Sequence, residues 1–300
     1  MNKNKKYIIR TIIFTFLLAI SSILGSFILV KTHSSHAYQI HYTALLNIKK
    51  DIKNENSDIL FLGDSSLLMG LDARKFGQLS NKKVYNLALY ANAAPISYRI
   101  LLNEYLKNNS KPQKLVIYFT ASAPYSYESN SFEKSYTVLK YGNLRTILRE
   151  LPIPGIILAG KTILAIYVKR YLGLVQFSYT DFKDKIIKYN GYDINEDKPL
   201  PLDFVINSKR NKVLPINYLI DLEKYAQSLD IDTILYVAPT TYNEKGFQYF
   251  ENKYKNITYN SLRKMRNKHF VDYTHMTKDG AYNNTLKVWN ELNKKGFLSN

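Results

Sequence analysis

Asp58-Ile59-Leu60-Phe61-Leu62-Gly63-Asp64-Ser65-Ser66 is the stretch from which the fold of this 300-residue chain can be read. Its apolar run, bounded by turn residues, predicts a buried parallel strand over Asp58–Leu62. Gly63 permits a sharp turn, and a helix is expected from near Ser65 to about Gln78. A side chain at Ser65 stands at the carboxyl end of a core strand, where open α/β sheets bind their ligands. Two roles fit it: a nucleophile whose own amide points into the site, or simply the N-cap of the next helix.

Downstream the alternation continues. Lys83–Leu87 reads as a second strand, Pro95 opens a helix over Ile96–Lys107, and Leu115–Thr120 supplies a third, buried strand. Residues 122–211 interrupt the pattern as an insert: a Tyr/Ser-rich loop leads to Leu151-Pro152-Ile153-Pro154 and the apolar segment Gly155–Val175. Lys161, Lys169 and Arg170 lie within that segment, and a membrane crossing there would put Ser65 and His275 on opposite sides. An interfacial helix, part of a lid, or a buried helix of the insert is expected instead. The pattern resumes with a helix at Pro215–Leu229 and a strand at Thr233–Ala238. Helical segments follow around Phe247–Tyr254 and Asn260–Lys268, then a short fifth strand or extended segment at His269–Asp272 and a closing helix at Lys278–Asn293. Five strands separated by helices predict a flavodoxin-like three-layer α/β/α sandwich on a parallel sheet.

Upstream, Thr11–Val30 carries no charge over twenty residues, enough to cross a hydrocarbon core of ~30 Å. Lys3, Lys5, Lys6 and Arg10 precede it, so the N-terminus is expected in the cytoplasm and the remainder outside the cell. A cleaved signal peptide is the rival, but Ser35-His36-Ala37 makes a poor cleavage site and the apolar region is long for that role. Residues 1–36 thus read as a basic tip and transmembrane anchor, 37–57 as a juxtamembrane helix with Leu45, Ile48 and Ile52 on one face, and 58–300 as the sheet-bearing domain.

The net charge is +18; four of the basic residues precede the anchor, leaving +14 on residues 31–300. That excess favours an anionic neighbour such as a membrane surface or a cell-surface polymer. No nucleic-acid-binding motif accompanies it, and export argues against nucleic acid as a partner. Cysteine is absent, which excludes disulfides, thiolate metal sites and cysteine nucleophiles. No metal-binding histidine spacing and no glycine-rich nucleotide motif occurs, so neither a metal nor a cofactor is expected. Most of the 26 tyrosines are expected to pack the core, with Tyr125, Tyr127 and Tyr136 as the cluster placed to meet a sugar.

A serine hydroxyl attacks only when a base takes its proton, and the base works best when a third group holds its tautomer. Of five histidines, His33, His36 and His41 lie just beyond the apolar span, which leaves His269 and His275. His275 follows Asp272 by three residues, whereas His269 precedes the predicted last strand.

Gly63-Asp64-Ser65 near the start, Asp272-Tyr273-Thr274-His275 near the end, and Val84-Tyr85-Asn86-Leu87-Ala88-Leu89-Tyr90-Ala91 between them resemble three blocks of the SGNH (GDSL-type) superfamily of serine esterases and acyltransferases. The resemblance runs from Asp58 to the C-terminus, apart from the insert. It implies Ser65 as nucleophile, His275 as base and Asp272 as its orienting acid. It implies oxyanion donors at the Ser65 amide and at Ala91, where the family has glycine. The family's third donor is an asparagine after strand three; this chain has Thr120-Ala121-Ser122-Ala123, so Ser122 or Asn92 would have to serve. Membrane-anchored relatives that act on cell-surface polymers depart at the same blocks, among them alginate and peptidoglycan O-acetylation proteins and the teichoic acid D-alanyl transfer protein. They imply a membrane-tethered O-acyltransferase or esterase partnered with a multispanning membrane O-acyltransferase. A non-catalytic scaffold that keeps the fold is the alternative.

Overall fold

The computed structural model describes residues 3–32, 41–90, 94–120, 131–172, 178–194, 198–199, 217–239, 258–259, 265–272 and 274–299. The chain divides into two compact units, Met1–Ile40 with Ser129–Phe177, and His41–Glu128 with Ser178–Asn300.

The larger unit is α/β. Strands β1 (Ile59–Gly63), β2 (Val84–Asn86), β3 (Lys114–Thr120) and β4 (Asp232–Ala238) form a parallel sheet in the order β2-β1-β3-β4. β1 is buried at every residue, as its unbroken apolar run requires of a central parallel strand. The two-residue segment Thr258–Tyr259 adjoins β4 in parallel register. At the end of β1, a Cβ on Gly63 would lie 1.9 Å from the Tyr118 carbonyl oxygen, so glycine alone lets the two strands close there. Tyrosine fills much of the core: Tyr85, Tyr98, Tyr105, Tyr118 and Tyr236 are fully buried, and Tyr118 stacks on Tyr236. Packing is thus one use of the tyrosines among the described residues of this unit.

The helix expected from Ser65 to Gln78 is two helices, α3 (Ser65–Leu68) and α4 (Ala73–Ser80). Side chains from other elements bond to the carbonyls around the break. Asn86 Nδ2 donates to the carbonyls of Leu67 and Leu71, and Asn284 Nδ2 to that of Gly70. Asp72 then caps a new start by accepting from the Lys75 amide. α5 (Pro95–Asn108) begins at the expected proline. The closing helix runs over Lys278–Lys294, capped by Thr277; α10 (Asn217–Gln227) leads into β4.

Three expectations are corrected. The proposed juxtamembrane helix is α2 (His41–Asp51); it belongs to the larger unit, packs on α5, and is buried from Thr43 to Lys49 rather than along one stripe. The insert is not one body: Ser129–Phe177 lies in the smaller unit, whereas α9 (Tyr179–Lys188) and the chain after it return to the larger. Gly191 makes that return with φ +85° and would strike the Asn86 carbonyl oxygen at 2.0 Å if it carried a Cβ. Last, His269–Asp272 is no sheet strand. Residues Asn267–His269 form a 3₁₀ turn, and Phe270 makes a single antiparallel bridge to Met276, closing a local loop. The helix expected near Phe247–Tyr254 lies outside the described residues.

The smaller unit contains α1 (Lys3–Thr32), α6 (Phe132–Tyr141), α7 (Leu144–Glu150) and α8 (Ile153–Tyr171). Within α1, Tyr7–Thr32 is long and apolar enough to cross a membrane. α8 packs along α1 and α6, so the insert's apolar segment is a helix of this unit.

Candidate active site

Strand β1 delivers Ser65 to the site. Asp64, not Ser65, caps α3: its carboxylate accepts from the Ser66 amide at 2.9 Å and from the Ser66 hydroxyl, while its other oxygen accepts from the Thr120 amide at 3.2 Å. Burial pushes the Asp64 carboxyl up, against the hydrogen bonds from Ser66 and Thr120 that pull it down. With Asp64 and Ser66 occupied with each other, the Ser65 hydroxyl is left for another partner.

That partner comes from 210 residues away in sequence. Ser65 Oγ lies 2.8 Å from His275 Nε2, and His275 Nδ1 lies 2.6 Å from Asp272 Oδ2. With the proton on Nδ1, the imidazole donates to Asp272 and accepts from the serine. The same carboxylate builds the loop that presents the ring, because its Oδ1 accepts from the Thr274 and His275 amides at 2.8 Å each. The Val271 amide closes the loop on the His275 carbonyl, and the Thr277 amide donates to His269. Of the expected short strand or extended segment, the extended backbone at Phe270 is present, and among the described residues it pairs only with Met276. Partial burial pushes the Asp272 carboxyl up, but the hydrogen bonds from the His275 ring and the Thr274 and His275 amides outweigh it and hold the group at about 2. It therefore stays ionised beside the imidazole.

The other candidate base does not join the site. His269 offers its backbone carbonyl to Thr277, and among the described residues its Nδ1 has no hydrogen-bond partner. Ala91, Asn92 and Ser122, the expected oxyanion residues, lie outside the described residues, as do Tyr125 and Tyr127. The chain leading to Ala91 is held firmly: the Leu87 amide donates to Phe61, the Leu89 amide to Gly63, and the Ala88 amide to the Asn86 side chain. Among the described residues, no group of three His, Asp or Glu side chains could hold a metal.

Sequence reasoning missed a second polar cluster close by. Lys49 is fully buried, and its ammonium donates to the carbonyls of Asn86 at 2.6 Å and Gly191 at 3.0 Å. Asp193 accepts from the Tyr90 hydroxyl and pairs with Lys185 at 2.8 Å, while its amide donates to the Leu68 carbonyl at the end of α3. The available signal was a lysine within the apolar surface of α2.

No family model matches the chain, and a search of curated proteins finds no match.

Proposed function

We propose that this protein is a membrane-anchored serine O-acyltransferase or esterase of SGNH type that acts outside the cell on acyl groups of a cell-surface polysaccharide or teichoic acid. The observation that carries the reading is the chain of contacts from Ser65 through His275 to Asp272, closed across 210 residues. A nucleophile, a base and an orienting acid in this order are what acyl transfer requires. The strand order β2-β1-β3-β4, with Thr258–Tyr259 beyond it, supports reading the sheet as that of a flavodoxin-like five-stranded sandwich. Two sets of helices, α4 with the closing helix and α5 with α2 and α10, suit its outer layers.

In the first half-reaction Ser65 Oγ attacks the ester carbonyl carbon as His275 Nε2 takes the hydroxyl proton. The Ser65 amide, with Ala91 and a side chain from Ser122 or Asn92, would hold the oxyanion. Collapse breaks the bond to the leaving alcohol, which receives the proton from His275 and departs, leaving acyl-Ser65. A water or a sugar hydroxyl then gives its proton to His275 and attacks the acyl carbon. The Ser65 oxygen leaves and recovers the proton. Hydrolysis and transfer differ only in which hydroxyl enters second. The basic residues in the first turns of α1, Lys3, Lys5, Lys6 and Arg10, favour an N-terminus in the cytoplasm and the domain outside. Its positive charge suits an anionic polymer, and a multispanning membrane O-acyltransferase would supply acyl groups.

The replacement of the family's asparagine by the sequence Thr120-Ala121-Ser122-Ala123 favours a second reading, a non-catalytic scaffold. A fluorophosphonate probe on the full chain separates the two. Catalysis requires labelling at Ser65 that falls to background in Ser65→Ala and His275→Ala. A folded wild-type chain that takes no label is the scaffold, and label that persists in Ser65→Ala removes the proposed nucleophile.

A further inference from the structure

The smaller unit sets a second apolar helix against the anchor. α8 turns Ala159, Gly160, Ile163 and Ile166 inward. A Cβ on Gly160 would lie 2.3 Å from Ser26 Oγ, so the two helices meet there at backbone distance. Ser26 precedes the end of α1 at Thr32 by six residues, about 9 Å along the axis. The contact therefore falls inside Tyr7–Thr32, the stretch able to cross a membrane. At the end of α1, Lys31 and Lys140 of α6 each donate to the other's carbonyl, which marks a polar level just beyond that contact.

The opposite side of α8 is exposed and, apart from Lys161 and Lys169, largely apolar. Ile153 is 54%, Leu164 56% and Val168 50% exposed, with Leu158 beside them. α7 meets α8 at 105° and exposes Leu144 and Leu148 alongside Arg145 and Arg149. Leucines on one side and arginines on the next is the pattern of a helix lying flat in a membrane interface.

We infer that α7 and α8 are embedded in one leaflet beside α1, with the exposed face of α8 against lipid acyl chains. Because the middle of α8 touches α1 about 9 Å inside the apolar stretch, a bilayer that contains α1 must also meet α8. This step rests on α1 as the membrane anchor. α8 does not cross. The segment Ser129–Phe177 leaves the larger unit and returns to it, and the flanking chain on both sides builds one unit. Both ends of the segment thus lie on the same side of the membrane. Lys161 and Lys169 on the exposed face fit a shallow seat, with their stems along the acyl chains and their ammonium groups reaching the headgroups.

The absence of cysteine makes the test direct. Ile28→Cys, Leu158→Cys, Leu164→Cys and Tyr282→Cys are each labelled with an environment-sensitive nitrobenzoxadiazole dye. The full chains are then reconstituted in phosphatidylcholine–phosphatidylglycerol vesicles. Nitroxide-bearing lipids should quench positions 28, 158 and 164 alike, with blue-shifted emission, and aqueous iodide should quench only 282. Lipid quenching at 28 with iodide quenching at 158 and 164 overturns the seating of α8 and spares the anchor. Protection of 158 and 164 from both quenchers also overturns it, since protein rather than lipid then covers the face. Iodide quenching at 28 overturns the anchor and this inference together.

Discussion

Two clusters of ionisable side chains lie within the larger unit, and they treat solvent in opposite ways. In the first, the Asp272 side chain is 42% and the His275 side chain 25% exposed, with Ser65 just beneath them. In the second, Lys49 is sealed completely and its ammonium is spent on two backbone carbonyls. Burial pushes the Lys49 amine well below the usual lysine range, although Asp193 pulls it back up. At Asp272 the balance reverses, because hydrogen bonds overcome the partial burial. A group that exchanges protons with a substrate must be reachable; a group that ties loops together need not be. Access to solvent, more than charge, separates the candidate site from the scaffold that braces it.

The largest expected effect falls on the open cluster. Asp272→Asn keeps the shape of the loop but removes the charge that holds the imidazole tautomer, so fluorophosphonate labelling of Ser65 should slow by about 10⁴-fold. The same substitution has a signature in acid. The carboxyl is held at about 2, below its ordinary 3.8, so it adds stability above that ordinary value and loses it as pH falls through the lower one. Unfolding followed by circular dichroism should show the wild type losing stability over that range, with a shallower loss in Asp272→Asn. Labelling at the wild-type rate would break the claim that this cluster is the chemical one.

How much of this was visible in the sequence depends on the range of the interactions. The strand at Asp58–Leu62 was legible because a buried parallel strand writes its environment as a continuous apolar run. The pairing of Asp272 with His275 was legible because both lie in one short turn. Their meeting with Ser65 was an expectation from resemblance, and the 2.8 Å contact places the three together. What stayed hidden was non-local. The periodicity of α2 reports only its apolar residues and so predicts a one-sided helix, whereas Thr43, Asn47 and Lys49 are buried too. The break after Leu68 depends on Asn86 and Asn284, whose side chains arrive from other elements. The return of the insert depends on Gly191 fitting under Asn86, which no local pattern announces.

The sealed cluster should answer to mutation in stability. Lys49→Met leaves the Asn86 and Gly191 carbonyls without their donor, while Asp193 keeps its pairing with Lys185; the loss should be on the order of 3 kcal/mol in urea unfolding. The pH dependence carries its sign. With the folded amine titrating below its unfolded value of about 10.4, the unfolded chain binds more protons across that interval, so wild-type stability rises with pH there. Lys49→Met should flatten the rise while leaving Ser65 labelling intact in the folded protein. An identical rise in the variant would mean that another group titrates.

The smallest effect tests whether the clusters are truly separate. Tyr90 donates to Asp193 and immediately precedes Ala91, the backbone position proposed as second oxyanion donor. Tyr90→Phe removes that hydroxyl and leaves Asp193 its pairing with Lys185, so the melting temperature should fall by the equivalent of about 1 kcal/mol. The loop itself has other supports: the Leu87 and Leu89 amides donate to Phe61 and Gly63, and Ala88 to Asn86. Those bonds tie it to β1 and to the end of β2 whether or not the hydroxyl is present. The labelling rate at Ser65 should therefore stay at the wild-type value. If labelling instead collapses towards that of Asp272→Asn while the melting temperature barely moves, Tyr90 positions the oxyanion side of the site through Asp193. The buried cluster would then belong to the chemistry, and the contrast between a reactive open cluster and a bracing sealed one would be false.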